Sequence, residues 1–484
     1  MNGPFTKPAA VRFPLDPGPP IDPFALAGPT GILFHAEGRV LVGLGSALTI
    51  GLPRGLDSVG DIRRATEVLA SVDCDDRFDA SSSGVIAFAA LPFERSAAAG
   101  LVLPEVIFGS DPDGREWVTV VAADRGALPS SPRGLRSWLA AGAAGAAGAA
   151  GAAAGRLDRP ATRAGKPSWG SDGDAGPDAD GDPRPGADPG LGPCVEPRSS
   201  DASFLAMVAD ALEAIDRGQL VKVVLARQVD VTMPAPVDVA ALLDRWHRLE
   251  PTCTIFSVPT SDGQFVGASP ELLVERTGTG VRSRPLAGTA ERFVGSEGSL
   301  LPGELLESRK DATEHRLVVE AIEATLRDLC SELHAPSQPD LVHLRNIIHL
   351  GTSLTGTLAR RPDGRVPSAL ELVGALHPTP AVGGVPATTA QAVIGRLEPE
   401  SRGHYAGPVG YVDAAGDGRW MVGIRAMAID RLNSRLAAGV GIVDGSTPAI
   451  ELAETNLKLS AVLDVLAPGL TITPAEGTHR SVVG

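Results

Sequence analysis

The sequence predicts an α/β (α+β) protein of large, mostly antiparallel sheets with helices packed outside, and three observations carry that expectation. Short apolar runs, alternating or continuous, recur along the chain and are closed by Gly, Pro and Asp, as strands are. Several are joined by hairpin-length links, of which DAAGDGR from Asp413 to Arg419 is the clearest. Between them lie segments with apolar residues at helical spacing, and 484 residues at 43% hydrophobic content suffice to bury one large core or two ordinary ones.

Taken in order, GILFHAEGRVLVGLG and GVIAFAALPF, then PEVIFG and EWVTVVAA, make residues 1–128 mainly strand. From 129 to 198 the composition changes to an Ala/Gly repeat, then to Asp, Pro, Gly and Arg with almost nothing large and apolar. Burial in such a segment cannot offset the entropy of ordering it, so disorder is expected. Phe204 to Gly218 repeats apolar residues at helical spacing and ends on glycine, and VKVVLARQVDV then alternates like a strand. Further strands are expected at TIFSV, QFVGAS, LLVER, GYVDA, WMVGIRAMAI and RLAAGVGIV. Helices are expected at residues 237–249, 304–332, 368–376, 388–397 and 450–466, covering the sheets from outside. Residues 199–468 thus form a mixed core, followed by a flexible tail at 469–484.

Composition excludes several classes of partner. With 43 Lys plus Arg against 58 Asp plus Glu, the formal charge is −15, and no basic run could track a phosphate backbone, so nucleic acid is not expected. Cys74, Cys194, Cys253 and Cys330 lack paired spacing, which suggests neither zinc nor disulfides and fits a reducing cytoplasm. The N-terminus offers prolines, Asp16 and Asp22 where an export signal needs a basic start and an apolar run. The one long uncharged stretch, Ala140 to Gly155, is Ala and Gly and reads as linker, so no membrane span is expected.

Two acidic clusters could carry chemistry. In ELLESRKDATEH, Glu304, Glu307, Asp311 and Glu314 recur at three- and four-residue steps on one helical face, and in ELAETNLK, Glu451, Glu454 and Lys458 do the same. Each alone reads first as a solvated charged face. Together they could supply hard oxygen ligands to a Mg²⁺ that also holds a substrate carboxylate. Gly439, Gly441 and Gly445 would admit a close backbone approach to a ligand, or merely a tight turn. Lys222 lies among Val221, Val223, Val224 and Leu225: half-exposed it is an ordinary strand lysine, buried it is a candidate base. Glu271, after Ser269 and Pro270, is either a satisfied strand-end carboxylate or the complementary acid.

As a set, VKVVLAR, VGASPELLVER, PLAGTAER, ESRKDATEH, HPTPAVGGVP, GPVGYVDAAGDGRWMVGIRAMAI and AAGVGIVDGSTPAIELAETNLKLS resemble, in this order, the motifs of the chorismate-utilising enzymes, and among them the isochorismate synthases. The resemblance is dense from about Phe204 to Leu466, with an echo in FAALPF and LVLPEVIFG. It implies the fold of that family, with two pseudo-symmetric subdomains, residues 1–128 completing it and 129–198 inserted. It implies Lys222 as the base that activates water and Glu271 as the acid that protonates the departing hydroxyl. Glu314 and Glu454 are implied as principal Mg²⁺ ligands, with Asp311 and Glu451 in support. Tyr411 or nearby backbone, Arg425, the Gly441 amide and Lys458 would hold chorismate carboxylates, while Thr289, His349 and Ala381 would line the pocket.

The same resemblance separates the relatives. Anthranilate and aminodeoxychorismate synthases use ammonia from an amidotransferase subunit and show a Gly-Ala-Pro-Lys type ending where this chain has AVGGVPAT, so no such partner is expected. Salicylate synthases share the lysine and go on to eliminate pyruvate. A non-catalytic paralogue would lack one of Lys222, Glu271, Glu314 or Glu454, and all are present. The product would serve menaquinone or siderophore synthesis.

Overall fold

The computed structural model describes residues 8–78, 84–140, 192–292, 302–470 and 472. Among these, two large sheets lie face to face. The larger has 13 strands and begins Cys194–Pro197, Lys222–Thr232, Asn433–Val443, Ala426–Asp430, Gly263–Ser269, Thr254–Thr260; it continues through Ile32–Ala36 into the N-terminal strands. The second has nine, with Leu272–Thr277, Gly418–Val422, Pro408–Asp413 and Ile86–Ala90 at its centre. The N-terminal strands therefore complete both sheets, through Phe34 opposite Phe256 in one and Phe88 opposite Tyr411 in the other.

Strand alternation builds the layers. Phe34 and Leu41 point into the core between the sheets with Val409, Tyr411 and Trp420, while their neighbours Leu33 and Val42 point the other way, to a second core with Trp246 and Leu459. Helices Val239–Leu249 and Pro448–Leu466 cover that second face. Among the described residues no helix is long and apolar enough to cross a membrane.

The helix expected over 304–332 is divided. Pro302–Glu307 ends before Ser308, whose hydroxyl accepts the Asp311 amide and starts a new helix, Arg309–Arg327. Glu304 and Glu307 consequently do not share a face with Asp311 and Glu314. Cys330–His334 is an edge strand paired with Leu354–Leu358, because sheet pairing there outweighs the helical pattern. Within 129–198, the expected disorder falls on residues 141–191, which lie outside the described residues. The flanks are structured: Leu135–Ala140 is a helix with Leu135 and Leu139 buried, and Cys194–Pro197 pairs antiparallel with Val229–Thr232. The tail from 473 onward also lies outside the described residues.

Candidate active site

Lys222 opens the longest strand pair of the fold, in which eleven residues run opposite Asn433–Val443 and its own backbone also meets Val385. Held on both sides, its side chain is fully buried, and Nζ stands 3.1 Å from Glu314 Oε1. The half-exposed reading of this lysine is therefore excluded.

Glu271 sits where the chain leaves one sheet for the other. The Ser269 hydroxyl donates to Val422 O at 2.6 Å, and the Val422 amide donates to Glu271 O at 3.0 Å, which pins the corner. Glu271 as a whole is only 3% exposed. Burial raises its pKa to about 7, against the pull of the Leu286 amide and of Lys222.

A buried stripe explains each carboxylate row. Along Arg309–Arg327 the residues that face inward are Val318, Ile322 and Leu326, and one or two turns earlier the same stripe carries Asp311, Glu314 and His315. Along Pro448–Leu466 it runs Glu451, Thr455, Leu459 and Leu463. The helix starts thus bring carboxylates together at the end of the core. Burial raises Asp311, and Glu314 and Glu454 beside it add to the shift. Burial likewise raises Glu451, against Lys310, whereas Glu454 falls below the usual range because Lys458 outweighs its burial.

The wall between is made by a small three-stranded sheet. Thr289 and His349 face each other across strands Leu286–Glu291 and Ile347–Gly351. His349 Nδ1 lies 2.8 Å from Gly288 O, a carbonyl that can only accept, so Nδ1 carries the proton and Nε2 accepts from Arg425 Nη2 at 3.1 Å. Burial and then Arg425 lower the His349 pKa to about 3, keeping the ring neutral. Thr289 donates to Glu454 Oε1 at 2.9 Å, and Lys458 bridges Glu454 Oε1 at 2.6 Å and Gly439 O at 3.0 Å. Arg425 and Ala406 both have positive φ, 52° and 62°, conformations that cost non-glycine residues about 1 kcal/mol or more and cluster at functional sites.

One cavity gathers Glu271, Thr289, Glu314, His349, Ala381, Arg425, Gly441, Glu454 and Lys458. Lys222 reaches it from behind through Glu314 and Gly441. Asp311 stands in the next layer, accepting from the Ser308 hydroxyl and the Thr289 amide, and Glu451 pairs with Lys310. Tyr411 requires correction. It packs edge-on to Phe34 in the core between the sheets, because its strand parity turns it away, and the tyrosine that lines the cavity is Tyr405. The chain has only these two tyrosines, so RGHYAG could have been weighed from the sequence. Two other neighbours were also missed: His315, whose Nε2 is 2.8 Å from Thr352 Oγ1, and Arg402, which is spent on Glu398, Val382 O and Val224 O. A larger cleft of about 760 Å³ opens elsewhere, but its Arg95 and Asp57 are engaged with each other.

The donor set suits a hard divalent cation. Glu451 Oε2 is buried without a hydrogen-bond partner, and oxygen ligands from facing helices with room for water are what Mg²⁺ takes. Among the described residues no three side chains converge as a ligand group, because Glu314, Glu451 and Glu454 are each turned to a lysine.

A buried amine, a carboxyl that keeps its proton to about pH 7, and the cations Arg425 and Lys458 beside acidic helices define an acid–base site for a small carboxylate-bearing molecule. Residues 193–467 match the family described as chorismate binding enzyme. Isochorismate synthase EntC of Escherichia coli is 41% identical over 265 residues, covering 54% of this chain and 66% of that protein. Isochorismate synthase DhbC of Bacillus subtilis is 39% identical over 277 residues, covering 56% and 69%. The structure of MenF, the menaquinone-specific isochorismate synthase of Escherichia coli, shares the fold at TM-score 0.69 and 23% identity, covering 95% of this chain and 94% of that one. The chain belongs to the family of chorismate-binding enzymes. The sequence matches span about two thirds of each curated relative, 66% and 69%.

Proposed function

We infer that this chain is a magnesium-dependent isochorismate synthase, interconverting chorismate and isochorismate by adding water to the ring and releasing the existing hydroxyl. The observation that carries the reading is fully buried Lys222 standing behind a cavity lined by Glu314 and by Glu271, whose pKa stands at about 7. Hydroxyl transfer needs a base to activate water and an acid that still carries its proton. The relatives named above as isochorismate synthases support it.

Arg425, oriented by neutral His349, binds a substrate carboxylate together with Lys458, Tyr405 and the Gly441 amide. Lys222, out of its ion pair with Glu314, takes a proton from water, whose oxygen adds to the ring carbon next to the one bearing the carboxylate. The double bonds shift, and the hydroxyl across the ring departs with the proton of Glu271. One water enters and one leaves, so the mass is unchanged, and in reverse the two groups exchange roles. Glu314 and Glu454 would hold Mg²⁺, with Asp311 and Glu451 in support, and the bound ion supplies positive charge against the ring carboxylate. Water as nucleophile makes an ammonia-delivering subunit unnecessary.

The test is product analysis by chromatography and mass spectrometry after incubation with chorismate, with and without Mg²⁺ and with no ammonia source. The expected result is a magnesium-dependent isomer of unchanged mass, approached from either direction. Salicylate with pyruvate, or no product, overturns the assignment. Lys222→Ala should lower turnover 10²- to 10⁴-fold, the usual contribution of a general base.

A further inference from the structure

The two helices that carry the carboxylates are stapled at their starts by an ion pair whose lysine has no role in the reaction described above. Lys310, the second residue of Arg309–Arg327, places Nζ 2.6 Å from Oε1 of Glu451 in the first turn of Pro448–Leu466. The partners differ in freedom. The Glu451 side chain is fully buried, whereas a quarter of the Lys310 side chain is exposed, on a flexible four-carbon stem that can turn to solvent. Glu451 Oε2 has no close hydrogen-bond partner, and besides Lys310 it is the Ser446 hydroxyl that favours the charge of this carboxylate. Lys310 also has Glu454 and Glu314 as charged neighbours.

Three lysines, Lys222, Lys310 and Lys458, thus stand against Asp311, Glu314, Glu451 and Glu454. Crowded buried carboxylates repel and need a cation. Of the three lysines Lys458 lines the cavity and Lys222 is fully buried behind it, whereas Lys310 lies outside the lining and is the most exposed. We propose that Lys310 is an internal counter-cation for the metal site: it neutralises Glu451 in the metal-free protein, competes with Mg²⁺ for it, and swings outward when the ion binds. The proposal rests on the assignment of these carboxylates as the metal site. It gives Lys310 two effects of opposite sign, holding the empty site together and weakening the filled one.

The experiment measures Mg²⁺ affinity by isothermal titration calorimetry and Tm with and without 10 equivalents or more of Mg²⁺, at pH 8.5, on the full chain. In Lys310→Met, Mg²⁺ should bind about tenfold more tightly, Tm without metal should fall, and the rise in Tm on adding Mg²⁺ should exceed that of the unaltered protein. A lysine that serves only as a structural staple would lower Tm equally in both conditions. Unchanged or weaker Mg²⁺ binding in Lys310→Met overturns the proposal while leaving the functional reading intact. Failure of the unaltered protein to bind Mg²⁺ overturns both. Should Lys310→Met not fold, Glu451→Gln, which needs no counter-cation, carries the test: in that background Lys310→Met should change Mg²⁺ affinity less than twofold, and a tenfold change there overturns the proposal.

Discussion

Gly441 and Glu314 touch with no room for a side chain between them. Opposite Val224 in the central strand pair, Gly441 presents bare backbone to the carboxylate, and a Cβ built there would lie 2.8 Å from Glu314 Cδ and 3.2 Å from Lys222 Cε. The close approach brings together a strand residue, the Arg309–Arg327 helix and the candidate base. Gly441→Ala should therefore displace the ends of the Glu314 and Lys222 side chains, lowering turnover roughly 100-fold while changing stability little, because the atoms in the way are the tips of flexible side chains and not backbone. Steady-state kinetics beside thermal unfolding checks this; a fully active Ala variant would show that Glu314 is not needed where it stands.

The raised pKa of Glu271 fixes a pH dependence. Its acid form is required to expel the hydroxyl, so kcat in the chorismate-to-isochorismate direction should fall as pH rises through about 7, and a kcat profile flat from pH 6 to 8.5 would remove Glu271 as the acid.

Stability follows from the same shift. The folded state keeps the proton to about pH 7, while the unfolded chain releases it near 4.5, so stability is fully present below 4.5 and declines as pH rises to 7. Glu271→Gln, which cannot ionise, should gain on the unaltered protein by up to about 3 kcal/mol between pH 4.5 and 8. Denaturant unfolding at the two pH values measures the difference.

The two tyrosines should behave differently. Tyr405→Phe removes a hydroxyl at the cavity and should raise KM for chorismate about tenfold, whereas Tyr411→Phe lies in the aromatic core with Phe34 and Phe88 and should leave KM within twofold. The reverse order in steady-state kinetics would return the substrate-binding role to Tyr411.

The insertion has a boundary that can be tested. Replacing residues 145–188 by a Gly/Ser bridge should leave kcat/KM within about twofold, because composition gives that stretch no core to build. Extending the deletion through Leu135 and Leu139 should lower Tm by several degrees, since both are buried against the second core. Equal Tm values for the two deletions would show that the helix contributes nothing.

Strands and most helices were legible in the sequence, because alternation and helical spacing are local, and Lys222, Glu271, Glu314 and Glu454 stood out as candidates because their motifs are contiguous strings. The expectation for residues 141–191 rests on composition alone, since a segment without large apolar residues has nothing to bury. Relations between segments far apart in sequence came only from how the chain packs. Strand parity against a second sheet turned Tyr411 inward, and the fold brought Tyr405 to the cavity instead. A serine cap divided the long acidic helix, which separated Glu304 and Glu307 from Asp311 and Glu314. Whether Lys222 was buried, and that Lys310 meets Glu451 across 141 positions, depended on which surfaces pack together. Burial and charge compensation are properties of the assembled core, and no window of sequence contains them.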